Sequence, residues 1–137
     1  MNVTNAFLHG DLEEKVFMRM RPSFCSSEST KVCKLRKSLY GLRQAPRQWF
    51  AKLSSKLCAY GFARSYADYS LFVYQKGEVF MALLVYVDDI VLAGNNTQAC
   101  VDFKNYLYAC FSINDLGPLK YFLGNKVARG SQGLFLC

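Results

Sequence analysis

Two adjacent carboxylates, Asp88 and Asp89, interrupt the longest apolar stretch of the chain. Nine apolar or aromatic residues at positions 79–87 precede them, and four more at 90–93 follow. Neighbouring negative charges repel, and apolar surroundings oppose the ionisation of both. A cation relieves both penalties. Two hard oxygen donors suit Mg²⁺, which leaves much of its shell to water and phosphate. The alternative is a solvated Asp-Asp turn that holds nothing. The flanking β-branched and aromatic runs read as strands buried on both faces. The reversal falls at the acidic pair, so residues 79–93 are expected to form a hairpin with the carboxylates at its tip.

A second candidate is cationic. Positions 31–56 carry eight basic residues (Lys31, Lys34, Arg36, Lys37, Arg43, Arg47, Lys52, Lys56) and no acid, within a chain of net charge +7. Leucines and aromatics interleave with them, which points to a folded basic face for a polyanion such as nucleic acid, with a merely solvated face as the alternative. Six cysteines show no C-x-x-C pair, and His9 is the single histidine, so a His/Cys zinc site is not expected. They read as buried, reduced thiols of an intracellular protein. No leader opens the chain and no apolar run spans a bilayer, so neither secretion nor a membrane is expected.

With 137 residues, 52% of them apolar, the chain suffices for one domain with a real core. The carboxylate hairpin needs a leading strand, expected at residues 69–74 and joined through a Gln75-Lys76-Gly77 turn. Trp49, Leu53, Leu57 and Tyr60 recur at spacings of four, four and three, the buried stripe of a helix with Pro46 at its first position and Gly61 as its cap. Ala99, Phe103, Leu107 and Cys110 give a second helix over 97–110. Shorter strands are expected at the start of the chain (ending near Val3), at 16–20 and at 31–36, with Cys33 and Leu35 pointing inward. Thr4 to Gly10 reads as a turn or one helical turn, 25–30 as a Ser-rich loop after an Arg21-Pro22 stop, and 114–118 as a loop. A strand over 119–127 then leads, through a turn at 129–133, to a partner beginning at Leu134.

The local motifs are specific. Thr4-Asn-Ala-Phe-Leu-His-Gly-Asp-Leu12, Lys37-Ser-Leu-Tyr-Gly-Leu-Arg-Gln-Ala-Pro-Arg-Gln-Trp49, Tyr66-Ala-Asp-Tyr-Ser-Leu-Phe72, Tyr86-Val-Asp-Asp89 and Asp115-Leu-Gly-Pro-Leu-Lys-Tyr-Phe-Leu-Gly124 together resemble the reverse transcriptase of copia-type LTR retrotransposons, in order and spacing, across essentially the whole chain. The resemblance implies an α+β fold: a polymerase palm-like antiparallel sheet with two helices on one face. It implies one domain over residues 1–137, incomplete at both ends. It also implies RNA-directed DNA polymerase descent, an RNA or DNA template–primer with dNTPs as partners, and Mg²⁺ or Mn²⁺. Asp88 and Asp89 would be the catalytic and metal-holding pair. Tyr86 and Val87 would lie beside the primer terminus, Phe7 under the incoming sugar, and Gln44 against nucleotide and template. Phe122, Leu123 and Gly124 would grip the primer, and Lys34, Arg36, Lys37, Arg43 and Arg47 would supply the basic face. Phe7, Tyr86 and Phe122 also read as core aromatics, and Gln44 as a plain helix cap. The compartment implied is cytoplasmic, within a virus-like particle, or nuclear.

The departures matter as much. The family's first catalytic aspartate falls where this chain reads Met1-Asn2-Val3. A neutral amide cannot bridge two metal ions in phosphoryl transfer, so metal is expected to bind weakly and activity to be lost. Gly124-Asn125-Lys126 also departs from the family's apolar-then-acid pattern. With no fingers region before Met1 and no thumb after Cys137, the chain reads as a truncated, inactive copy. The alternatives are a nucleic-acid-binding remnant without chemistry and a pseudogene product without a role. A short initial strand would leave a hairpin edge open to self-association.

Overall fold

The computed structural model describes residues 1–20, 32–130 and 133–137. The expected stop at Arg21-Pro22, the loop at 25–30, Lys31 and the centre of the 129–133 turn lie outside these residues. The described elements are β1 (Asn2–Val3), a 3₁₀ turn (Ala6–His9), β2 (Phe17–Arg19), β3 (Val32–Lys34), α1 (Ala45–Tyr60), β4 (Ala63–Arg64), β5 (Leu71–Lys76), β6 (Val79–Tyr86) and β7 (Asp89–Gly94). They continue with α2 (Thr97–Cys110), β8 (Ile113–Asn114), β9 (Tyr121–Phe122), β10 (Asn125–Gly130) and β11 (Gly133–Leu136). Two helices on mostly antiparallel sheets make this an α+β fold.

The main sheet has the strand order β4-β5-β6-β7-β1-β8, with every pairing antiparallel. Directly paired residues share a face. Phe72, Leu83, Val85 and Ile90 therefore turn one way and are buried with Trp49, Leu53 and Leu57 of α1 and Phe103 and Leu107 of α2, in a single core. Leu71, Val73, Ala82, Leu84 and Val91 turn the other way and stay half exposed. This corrects the expectation of strands buried on both faces. Both helices cover the same side, so β6 alternates in burial although its sequence is uniformly apolar.

α1 begins at Ala45, so Pro46 sits one place later than expected, still where its missing N–H costs nothing. Gly61 closes the helix at φ 116°, a conformation that glycine adopts without penalty. α2 matches the expected span, and the Asn96 side chain caps it by accepting the Ala99 N–H at 2.9 Å. Tyr106 Oη donates to the Lys56 carbonyl at 2.9 Å and ties the two helices together. Around it Tyr60, Phe62, Tyr74 and Phe103 stack in an aromatic cluster, and burial pushes the Tyr60 and Tyr106 hydroxyls up from their ordinary pKa.

The strand expected at 119–127 is broken. Leu123 (φ 51°) and Gly124 (φ 83°) reverse the chain, so β9 and β10 form a hairpin of their own, extended by β11. The loop expected from Asn114 loses its first residue to β8, which pairs with β1 through Asn2↔Asn114 and Val3↔Ile113. Gln75 and Lys76, expected in the turn before β6, belong to β5, which leaves Gly77-Glu78 as the turn. The cysteines are less buried than their type suggests: Cys58 and Cys137 are exposed.

Candidate nucleic-acid and metal site

β6 ends at Tyr86 and β7 begins at Asp89, and these two residues pair. Only Val87 and Asp88 remain to make the turn. Val87 has φ 54° and Asp88 is not in the positive region, the arrangement of a type II′ turn, where glycine is the usual first residue. A β-branched residue held there costs about 1–3 kcal/mol. The strain falls next to both carboxylates.

On the far side of β7, Asn2 pairs with Asp89 in the ladder. Its Nδ2 lies 3.0 Å from Asp89 Oδ1 and 3.3 Å from Asp88 Oδ2, and donates to both. Ionised carboxylates only accept, so the amide has to turn its nitrogen toward them. Asn2, Asp89, Tyr86 and Asn114 share the uncovered face of the sheet through their pairings, and the acidic pair is half exposed there. Below the turn, Trp49 Nε1 donates to the Val87 carbonyl at 2.6 Å.

The other expected site residues are spread more widely. Phe7, in the 3₁₀ turn, is half buried and stacks on exposed Tyr40 with ring centres 4.6 Å apart. Gln44 occupies the cap position of α1 without making a side-chain cap bond. Leu123 and Gly124 form the tip of the separate β9–β10 hairpin. Lys34, Arg36, Lys37, Arg43 and Arg47 are all exposed, from β3 to the first turn of α1. The hairpin and Asn2 are thus brought together, whereas among the described residues no hydrogen bond or strand pairing joins Leu123 or Gly124 to them.

Three participants escaped the sequence reading. Asp11 accepts from Lys37 and, at 2.6 Å, from Lys52, so two of the basic residues are neutralised from outside their own segment. Those two ammonium groups, Lys37 first, hold the Asp11 carboxyl down at a pKa of about 2. Asn114 flanks Asn2 and donates to Thr4 Oγ1 at 3.1 Å. Trp49 was legible as a core residue; its bond to the turn was not. None of the three contacts is local, so periodicity carries no signal for them.

Residues 1–137 match the family described as reverse transcriptase (RNA-dependent DNA polymerase). The chain belongs to that family. It is 43% identical over 137 residues to the retrovirus-related Pol polyprotein from transposon RE2 of Arabidopsis thaliana, covering 99% of this chain and 9% of that protein. The corresponding polyprotein from transposon RE1 of the same plant is 44% identical, with the same coverage. That from transposon TNT 1-94 of Nicotiana tabacum is 40% identical over 131 residues, 94% of this chain and 10% of that protein. The chain therefore spans about a tenth of the length of these relatives. No solved structure matches it.

Reverse transcriptases as a family use divalent metal ions. Among the described residues of this reverse transcriptase chain, no group of three or more His, Cys, Asp or Glu side chains converges. Asp88 and Asp89 fit one ion of the Mg²⁺ type, which takes one or two carboxylates and completes its shell elsewhere, while Asn2 presents its donor nitrogen to them rather than an oxygen ligand. They lack the charge for two. A cleft of about 360 Å³ lined by His9 and residues 108–113 contains none of the expected site residues. No helix among the described residues is long and apolar enough to cross a membrane.

Proposed function

We propose that residues 1–137 form one palm-like unit of the reverse transcriptase domain of a retrotransposon Pol polyprotein, an RNA-directed DNA polymerase by descent. In this unit Asp88 and Asp89 hold a single divalent cation against a phosphate. The observation that carries the reading is the two-residue turn between β6 and β7, which sets both carboxylates side by side on the uncovered sheet face with Asn2 paired across from them. A bound cation supplies positive charge for phosphate oxygens. Around it, Asn2 orients the carboxylates through its amide, Tyr86 and Val87 border the primer terminus, Phe7 and Gln44 contact the nucleotide, and Leu123 and Gly124 contact the primer.

Asn2 also sets the limit of this chemistry. Two-ion phosphoryl transfer needs a carboxylate bridging both ions, and the amide has neither the charge nor the second oxygen. The chain therefore binds metal weakly and does not polymerise. Incubated with an RNA template, primer, dNTPs and Mg²⁺, it is expected to incorporate no more nucleotide than an Asp88→Ala control. Template-dependent extension above that control refutes the reading of Asn2.

A second reading has its own support: a nucleic-acid-binding unit without chemistry. Lys34, Arg36, Arg43 and Arg47 are exposed, and among the described residues no carboxylate pairs with them. The polyprotein context implies an intracellular location for either reading.

A further inference from the structure

We propose that Trp49 is the positioning residue of the carboxylate turn, its indole N–H holding the Val87 carbonyl so that the strained turn keeps Asp88 and Asp89 aimed toward Asn2. The inference rests on the reading of Asp88 and Asp89 as a cation-holding pair. Val87 is β-branched and sits at φ 54°, where glycine would be at ease. Such a conformation persists only when its surroundings over-determine it. Packing does not do so here, because Val87 is 43% exposed. Hydrogen bonds do. The Val87 carbonyl accepts from Trp49 Nε1 at 2.6 Å, and the next carbonyl, Asp88, accepts from the Val3 N–H at 2.8 Å. Two consecutive peptide groups of the turn are thus pinned from opposite sides, one by α1 and one by β1.

The donor is itself immobile. Trp49 is fully buried, with its ring edge-on to Phe111 at 5.1 Å and tilted against His9 at 5.8 Å. Gly10 lets the 3₁₀ turn close on this part of α1, since a Cβ there would stand 3.1 Å from both Gln48 Cβ and the Trp49 nitrogen. Phenylalanine would fill most of the same space and donate nothing. The N–H, not the bulk of the ring, is what the turn requires.

Trp49 is the single tryptophan, so its indole N–H gives one identifiable resonance in the ¹⁵N-labelled full chain. That proton is expected to be protected from exchange, and Val87 to show the strong intraresidue HN–Hα NOE of a positive φ. Trp49→Phe is expected to weaken this NOE and to raise the Mn²⁺ dissociation constant, read by water relaxation, about two- to tenfold, the worth of one hydrogen bond. Adding Val87→Gly in the Trp49→Phe background is expected to restore Mn²⁺ affinity to within about twofold, because glycine takes the turn conformation unaided. An unchanged NOE and affinity in Trp49→Phe overturns the proposal, as does failure of Val87→Gly to rescue. If Trp49→Phe does not fold, the exchange measurement on the unsubstituted chain decides, and a freely exchanging indole N–H overturns the proposal. If the unsubstituted chain binds no Mn²⁺, the cation reading falls while the NOE comparison still judges Trp49.

Discussion

Replacing the Asn2 amide by a carboxylate would turn two hydrogen bonds into two like-charge contacts with Asp88 and Asp89. In the metal-free chain, Asn2→Asp is expected to lower stability by about 1–3 kcal/mol, through the lost bonds and the added repulsion. The same third charge attracts a dication, so Mn²⁺ affinity measured by calorimetry should rise. Primer extension should not return from this change alone, since the substitution does nothing to position template. Equal metal affinity in the two variants would mean that Asn2 plays no part in metal binding. Asp11 offers a pH test. Its pKa falls from 3.8 to about 2 on folding, so its stabilisation is complete above about pH 5 and is lost as pH drops toward 2. The carboxylate is more than half exposed, and solvent screening keeps the effect near 0.5 kcal/mol. Asp11→Asn should remove that acid-dependent loss in denaturation curves taken from pH 5 to pH 2. At neutral pH it should also release Lys37 and Lys52, raising nucleic-acid affinity and steepening its fall with salt. An unchanged salt slope would place both lysines away from phosphate. The acidic pair was legible because its two donors are neighbours in the chain. The Asp11 clasp was not, because its partners lie 26 and 41 residues away.

Among the elements, the two helices and the strands near residues 1–3, 16–20, 31–36 and 134–136 were legible, whereas the two-residue strands β4 and β8 were not. α1 and α2 are long enough for a 3.6-residue stripe, and each has a chemically distinctive residue at one end, Gly61 closing α1 and Asn96 opening α2. β8 has two residues and no period to read; it is a strand only because β1 lies beside it. The 119–127 run misled for a related reason. Leu123 occupies a left-handed position that leucine composition does not announce, and the Gly124 beside it is the one local sign of reversal. The cap of α2 can be tested directly. Asn96→Ala leaves the Ala99 N–H without its acceptor and should cost about 1 kcal/mol in urea denaturation. No change in midpoint would show that water replaces the side chain at no cost.

At the scale of the molecule, no element among the described residues pairs with one side of β7 beyond Ile90, and the sheet face beside it carries half-exposed apolar side chains. Asn2 pairs with Asp89, and Met1 exchanges both backbone hydrogen bonds with Ile90. On the other side of β7, β6 follows to Gly94. Free backbone groups next to half-exposed apolar side chains invite edge-to-edge pairing. The chain is therefore expected to self-associate through β7, and Ala93→Lys, on the uncovered face near the end of that edge, should shift sedimentation and light scattering toward monomer. Equal association in both chains would move the contact elsewhere. The expected initial strand does lie beside the carboxylate hairpin, but the resemblance, not periodicity, indicated that it would.

Asn2 meets Asp88 and Asp89 across 86 and 87 positions of sequence. At synthesis rates of about 5–20 residues per second, roughly 4–17 s pass between the making of the amide and of the carboxylates it binds. Local elements such as α1 have a head start, and closure of this long loop has to be met before its bonds return anything. The site is then among the last parts of the fold to exist. A nascent chain carries its carboxylates and its amide separately, and becomes a candidate metal binder only once its beginning has been threaded beside its middle.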